Sequence, residues 1–320
     1  MRKNKLFTYD SIALVPKYSN LESRKLANTS VNLCGYNFNL PVVPSNMIDV
    51  ISFDRAKELS EKGFFYIMHR FEGATMKFVD YIEKNDLPLV SLSLGINGES
   101  KVDLEYAIST LGYERIHWLC VDVAHGHHKK VGEMLEYIRG LFPHHGCPKI
   151  IAGNVATADG YKYLADNGAD VVKCGIGQGS ICTTRYKTGF HAPTAYSVLD
   201  CVKNGDRDVP IIADGGAKHF GDVAKALVLG ADMVMSGRWF AECIDSPARI
   251  VHGKKIYRGS TSYECKHNND NIEGLTIELE RGCTYMERIA EITQALQSSI
   301  SYAGGTDLSA FNSVDWNFIK

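Results

Sequence analysis

Residues 149–176 read KIIAGNVATADGYKYLADNGADVVKCGI. The stretch opens on an apolar run, Lys149–Val155, and passes through an amphipathic segment, Thr157–Asn167. It then returns to a second apolar run, Val171–Ile176. Asn167-Gly168-Ala169 between them is a helix-stop signature, because glycine enters the left-handed conformation that closes a helix. Continuous Val/Ile runs, rather than alternating ones, mark parallel strands covered on both faces. The stretch therefore reads as one strand–helix–strand unit. The same alternation lies on either side. Toward the N-terminus the runs are Pro41–Asn46, Phe64–Met68, Leu89–Leu94 and Ile116–Val123; toward the C-terminus they are Pro210–Asp214 and Met233–Ser236. Ser52–Lys62, Lys129–Phe142 and Asp222–Leu229 are further amphipathic stretches, and Gly230-Ala231 repeats the stop. Eight such units predict an α/β protein built as a closed (β/α)8 TIM barrel, with an open doubly wound sheet as the alternative.

Two segments stand outside the repeat. Residues 1–40 form an N-terminal arm. Residues 247–283 are long, polar and poor in apolar period, and they hold the run KHNNDN; they are expected to be an irregular, mobile flap over the barrel mouth. Thr284–Ser301 is the last helix. A barrel of this kind uses about 250 residues, so residues 1–320 are expected to be a single catalytic domain, with the flap inside it and no inserted regulatory domain.

Of 320 residues, 45% are hydrophobic and 22% charged, an ordinary globular balance. The 35 basic against 37 acidic residues exclude a broadly basic nucleic-acid binder. No apolar run approaches the roughly 18 residues of a membrane span, and no apolar core of a signal peptide follows the basic N-terminus. Nine scattered cysteines fit a reducing compartment, so the expected location is the cytoplasm.

In such barrels the chemistry sits where strands end. After the successive runs come Ser45-Asn46-Met47, His69-Arg70, Asp122-Val123-Ala124-His125, Gly153-Asn154, Asp214-Gly215-Gly216 and Ser236-Gly237-Arg238. Gly215, Gly216 and Gly237 either expose backbone N–H groups to a phosphate or only make tight turns. Ser180 adds a hydroxyl and Arg238 a charge. Asp214 suits a ribose diol, since a carboxylate only accepts hydrogen bonds. The sixth run leads into GIGQGSICTTR, residues 175–185. Its glycines do not open directly into a helix, so a Rossmann loop fits poorly. They better serve a loop presenting Cys182, which is a nucleophile if Arg185 and backbone donors favour its thiolate, or else an inert thiol. Thr184, two residues on, can relay a proton. His125, His127 and His128 lack carboxylate or thiol partners at ligand spacing, so zinc is a weak reading.

The pieces GIGQGSICTTR, IIADGGAKHFGDVAKAL, DVAHGH, AGNV, NIEG and QSSISYAGGTDL lie in order along the chain. Together they make the sequence resemble the IMP dehydrogenase/GMP reductase family. The resemblance implies a (β/α)8 barrel, a homotetramer, and NADPH-dependent reductive deamination of GMP to IMP and ammonia. It further implies Cys182 as the nucleophile toward purine C2, with Thr184 and Glu273 handling protons. Ser180, Asp214, Gly215, Gly216, Gly237, Arg238, Gly259, Ser260 and Gly274 are then expected to hold the nucleotide. Asp122, Val123, Ala124, Ile176 and Gly177 would face the nicotinamide cofactor, with His69 and Arg70 placed to meet a 2′-phosphate. Ser23, Arg24, Tyr302, Ala303, Gly304 and Gly305 would reach the cofactor's far end, partly across a subunit boundary. The resemblance also implies a loop whose carbonyls, here those of Gly177, Gly179 and Cys182, would hold a potassium ion. Gln178, Arg238 and Glu242 depart from the family's usual proline and small residues.

The dehydrogenase branch needs a base for water, an Arg-Tyr pair on the flap. Residues 259–281 hold none; the pair in this chain is Arg185-Tyr186, beside Cys182. Phe71 also runs straight into a helical pattern, where that branch inserts a regulatory module. Both points favour the reductase over a dehydrogenase lacking its module. A silent nucleotide-binding paralogue would not need Cys182, Thr184 and Glu273. A lyase using Lys173 as a Schiff base has no supporting motif.

Overall fold

The computed structural model describes residues 6–142, 146–260, 262 and 273–319. The strands in chain order are β1 (Ile12–Leu14), β2 (Val31–Leu33), β3 (Tyr36–Phe38), β4 (Val42–Pro44), β5 (Ser91–Leu94), β6 (Trp118–Asp122), β7 (Lys149–Val155), β8 (Val171–Cys174), β9 (Ile211–Asp214), β10 (Met233–Ser236), β11 (Ile250–Val251), β12 (Lys254–Arg258), β13 (Thr276–Leu279) and β14 (Trp316–Phe318). Seven of them form one parallel sheet in the order β4-β10-β9-β8-β7-β6-β5. Placing β4 beside β10 curls the sheet round on itself, and helices surround it: an α/β fold of the TIM-barrel type.

The eighth expected strand differs in one respect. Residues 64–68 are extended and buried at Phe65, Tyr66 and Ile67, but pair only through a parallel bridge, Met68 to Leu92. Met68 N–H donates to Ser91 O and Ser93 N–H to Met68 O, both at 3.1 Å. No ladder joins this segment to β4 among the described residues.

The helices fall where the apolar period and caps put them. Phe53–Glu61 starts on Ser52, whose hydroxyl accepts from Arg55 N–H, and Ala158–Asp166 starts on Thr157 in the same way. Tyr285–Tyr302 starts on a capping box of Thr284 and Glu287, which satisfies two otherwise orphaned donors. The continuous apolar strands are buried on both faces, as in β8, where all four residues are buried.

The N-terminal arm is not loose. β2 and β3 form a hairpin whose Phe38 ring lies 4.6 Å from Phe65, and Phe65 lies 5.0 Å from Trp118. Trp118 begins β6, so this aromatic cluster fills the N-terminal end of the barrel. β1 pairs antiparallel with β14, Ile12 opposite Phe318. The segment expected to be an irregular flap is also ordered at both ends. β11, β12 and β13 form an antiparallel sheet with Tyr257 and Leu279 buried. The buried positions of β12 alternate, Lys255 and Tyr257, and a lysine at one of them hid the strand. The Lys255 ammonium donates to Ser246 O at 2.9 Å and Ala248 O at 3.1 Å. The polar run His267–Asn271 lies outside the described residues. No helix among them is long and apolar enough to cross a membrane.

Candidate active site

The loop between β8 and the helix Thr194–Asn204 carries the thiol. It turns back on itself through Cys182 N–H donating to Gly179 O at 3.0 Å. The Cys182 thiol donates to Thr184 Oγ1 at 3.2 Å, and the Thr184 hydroxyl donates to Glu273 Oε2 at 2.5 Å. A thiol, a hydroxyl and a carboxylate thus form one hydrogen-bonded row. The last contact is charge-assisted and correspondingly short.

Backbone pairing brings Glu273 there, across 89 residues of sequence. Gly274 bridges Cys182 antiparallel, Thr183 N–H donates to Glu273 O at 2.8 Å, and Leu275 N–H donates to Ile181 O at 2.9 Å. Residues 273–275 therefore lie as an added strand against the thiol loop and lead directly into β13. The row can take a proton from sulfur to carboxylate and return it to a leaving group.

A second centre lies deeper, at the ends of β6, β8 and β9. Lys173 is buried, and its ammonium donates to Asp122 Oδ1 at 2.5 Å and Asp214 Oδ2 at 3.2 Å. Burial alone would depress its pKa, but the two carboxylates outweigh that and hold it above the ordinary lysine value. Burial likewise would raise Asp122, but Lys173 holds its carboxyl below the usual range. Lys173 is therefore a fixed cation, which removes the Schiff-base reading: a protonated amine is no nucleophile. Asn154 donates to the same Asp214 Oδ2 at 2.8 Å, and no side chain among the described residues donates to Oδ1.

The glycine turns after β9 and β10 lie beside this centre. Gly215 and Gly216 have φ of +80° and +83°, consecutive left-handed residues that few side chains tolerate. Tyr257, brought in by β12, comes so close to Gly237 that a Cβ there would fall 2.2 Å from the phenol oxygen. Arg238 is exposed and donates to Glu242 at 2.9 Å, so the two departures from the family pattern are partners of each other. Ser180 is exposed, Gly259 is buried, and Ser260 is partly buried where β12 ends.

Of the pair expected to meet a 2′-phosphate, His69 would do so as a neutral hydrogen-bonding group rather than as a cation. It is buried, and burial pushes its pKa down to about 4, so it is neutral at pH 7. The Arg185 guanidinium lies 4.3 Å from the Tyr186 ring centre and donates to the Tyr186 hydroxyl. His128 caps the helix Lys129–Leu141, its Nδ1 accepting from Lys130 N–H at 3.1 Å, as a polar helix start requires.

Asp122, Val123 and Ala124 line the end of β6. Arg70 joins them by donating to Asp122 O at 3.3 Å, while its Nε is buried with no acceptor among the described residues. Ile176 pairs with Ala192, and Gly177 packs on His191. Ser23, Arg24 and Tyr302–Gly305 gather elsewhere: Arg24 donates to Ser298 Oγ at 3.3 Å and Lys17 N–H to Tyr302 O at 2.8 Å. Sequence reasoning weighed Lys173 only as a Schiff-base amine, noted Asn154 only as a strand-end residue, and passed over Tyr257. Lys173 carried a signal, since a lone lysine in Val171-Val172-Lys173-Cys174 must find buried counter-charges.

The IMP dehydrogenase / GMP reductase domain matches residues 6–320, nearly the entire chain. The chain belongs to the IMP dehydrogenase/GMP reductase family. Within that family it is 39% identical over 322 residues to a GMP reductase of Lysinibacillus sphaericus (strain C3-41), covering 98% of this chain and 96% of that protein. It is also 39% identical over 326 residues to a GMP reductase of Lactococcus lactis subsp. cremoris (strain MG1363), covering 99% and 96%. A GMP reductase of Streptococcus equi subsp. equi (strain 4047) is 39% identical over 323 residues, covering 98% and 95%. Family membership agrees with the barrel and with the order of motifs along the chain.

Proposed function

We propose that the protein is an oxidoreductase of purine metabolism, a GMP reductase that converts GMP and NADPH to IMP, ammonia and NADP⁺ through a thioimidate on Cys182. The observation that carries this reading is the row Cys182–Thr184–Glu273. Sulfur adds to purine C2, and its proton passes through Thr184 to Glu273. Glu273 returns a proton by the same route to the 2-amino group, since an amine leaves only when protonated. The C2–N bond breaks, ammonia departs, and the thioimidate remains on Cys182. The nicotinamide cofactor, when bound, supplies the hydride that C2 then needs. Cys182 leaves as thiolate and is reprotonated by a proton drawn from solvent, since the one Glu273 carried has left with ammonia; dividing the substitution this way lowers each barrier.

Asp214 would hold the ribose through its free oxygen, and Gly215, Gly216, Gly237 and Ser180 the phosphate. Arg238, Gly259, Ser260 and Gly274 complete the nucleotide contacts in this reading. Asp122, Val123, Ala124, Ile176 and Gly177 would take the nicotinamide side. In support, the buried Arg70 Nε has no acceptor among the described residues, and a carboxamide or phosphate oxygen would supply one. Ser23, Arg24 and Tyr302–Gly305 would serve the far end of a cofactor held by a neighbouring subunit of a homotetramer. Carbonyls of Gly177, Gly179 and Cys182 would hold potassium.

The test is GMP-dependent loss of NADPH absorbance, run beside IMP-dependent formation of reduced nicotinamide. Activity in the second assay alone overturns the reading in favour of dehydrogenation. Activity in neither, with GMP still bound, overturns it in favour of a binding protein.

A further inference from the structure

The mouth of the barrel contains a buried ion pair that the reaction above does not use. Asp49 is fully buried in the turn after β4, and Arg258 at the end of β12 is 10% exposed. The Arg258 backbone N–H donates to Asp49 Oδ2 at 2.7 Å. Its Nε donates to Oδ2 at 2.9 Å and to Oδ1 at 3.1 Å, and Nη2 donates to Oδ1 at 2.5 Å. One carboxylate thus grips both the main chain and the fork of a single residue. A buried ionic group of this kind adds little net stability once desolvation is charged against it, but removing one partner is expensive. Its clearest use is to select one arrangement of the backbone.

The arrangement it selects leads to the proton row. Gly259 follows Arg258 and donates its N–H to Leu275 O at 2.9 Å. There the two backbones approach so closely that a Cβ on Gly259 would fall 2.8 Å from Gly274 Cα. Gly274 bridges Cys182, and Glu273 beside it accepts from Thr184. The other anchor of β12, Lys255, grips Ser246 and Ala248, which belong to the segment leading into the same small sheet. Asp49 instead belongs to the loop that follows β4, where Ser45 N–H donates to Ser236 O at 3.0 Å.

We propose that Asp49 and Arg258 are positioning residues that fix the register of β12 on the barrel and thereby hold Glu273 against Thr184. The proposal rests on the reading of Glu273 as the proton carrier. A displacement of about 1 Å at such a group can cost about 100-fold in rate. Asp49→Asn keeps the shape and loses the charge; it is expected to lower kcat about 10- to 100-fold, with KM for GMP within about threefold. Arg258→Lys keeps the charge and loses the fork, and should fall between it and the parent.

The deciding measurement is a double-mutant cycle with Glu273→Gln. If the pair acts through Glu273, adding Asp49→Asn to Glu273→Gln lowers kcat no further, whereas damage by another route multiplies. A multiplicative double mutant, or a single mutant within about twofold of the parent kcat, overturns the proposal. Should Asp49→Asn not fold, the same cycle with Arg258→Lys decides by the same two outcomes. A Glu273→Gln variant with unchanged kcat is a separate result, which refutes the proton role itself rather than the positioning.

Discussion

Replacing Lys173 by methionine isolates the charge at the centre of the barrel. The side chain is nearly isosteric but carries no ammonium, so Asp122 and Asp214 are left facing each other within about 6 Å, as the reach of one ammonium to both requires. Two unit charges 4 Å apart at an effective dielectric of 20 interact by about 4 kcal/mol. Lys173 loses two such attractions, and desolvation no longer opposes them. Breaking a buried pair from one side typically costs about 3–5 kcal/mol, and that is the expected loss at pH 7. For a chain of this size the shift in Tm should be about 4–7 °C.

The pH dependence makes the prediction sharper. In the parent, the folded pKa of Asp122 is lowered, so its contribution is present above the ordinary carboxyl pKa and is lost as pH falls through the folded value. Lys173 is raised, so its contribution is complete below the ordinary lysine pKa and is lost as pH rises through the folded value. The parent term is therefore flat from about pH 5 to 9. In the variant, one carboxyl relieves the repulsion by taking up a proton, so the difference in Tm should shrink as pH falls from 8 to 5. Differential scanning calorimetry of both proteins over that range measures it. A difference that is constant with pH, or worth less than about 1 kcal/mol at pH 7, refutes the buried triad as the source.

Cys182→Ser should abolish GMP-dependent NADPH oxidation while GMP binding by calorimetry stays within about threefold, because a neutral hydroxyl is a poor nucleophile and the nucleotide contacts lie elsewhere; appreciable turnover excludes the covalent route. Glu273→Gln should lower kcat by about 10²–10⁴ with little change in GMP affinity; a collapse of binding with kcat intact makes it a ligand contact. His69, held down at about pKa 4 by burial, binds a proton only in the unfolded chain between pH 6.5 and 4, so stability falls as pH falls through that window. His69→Gln should remove about 3 kcal/mol of that acid sensitivity at roughly 1.4 kcal/mol per pH unit, read from urea unfolding at pH 7 and pH 4.5. GMP should slow hydrogen exchange at Glu273–Leu279; equal exchange with and without GMP means that this segment does not tighten on the nucleotide.

The barrel was legible because its signals are local. Val171–Cys174 announces a doubly covered strand through its own side chains, and Thr157, Thr284 and Gly168 mark helix ends within a few residues. The thiol loop was legible through motif and position. What sequence did not yield are arrangements that need two distant partners. Lys255 looks like a solvent-facing residue until its ammonium is seen against two carbonyls, so β12 read as loop. Nothing in His69-Arg70 tells that the histidine is sealed in while Arg70 reaches Asp122. Asp49 and Arg258 lie 209 residues apart, and no periodicity links them.

The pairing of β1 with β14 sets a schedule for making the protein. Ile12 finds its partner only when Phe318 has emerged, some 300 residues later. At roughly 5–20 residues per second, the first strand waits on the order of 15–60 s at the ribosome with its hydrogen-bonding edge open. Ile12 is fully buried at the end of that wait. The early chain therefore spends its synthesis as a strand seeking an edge, and a nascent neighbour on the same message can offer one before its own C-terminal strand arrives.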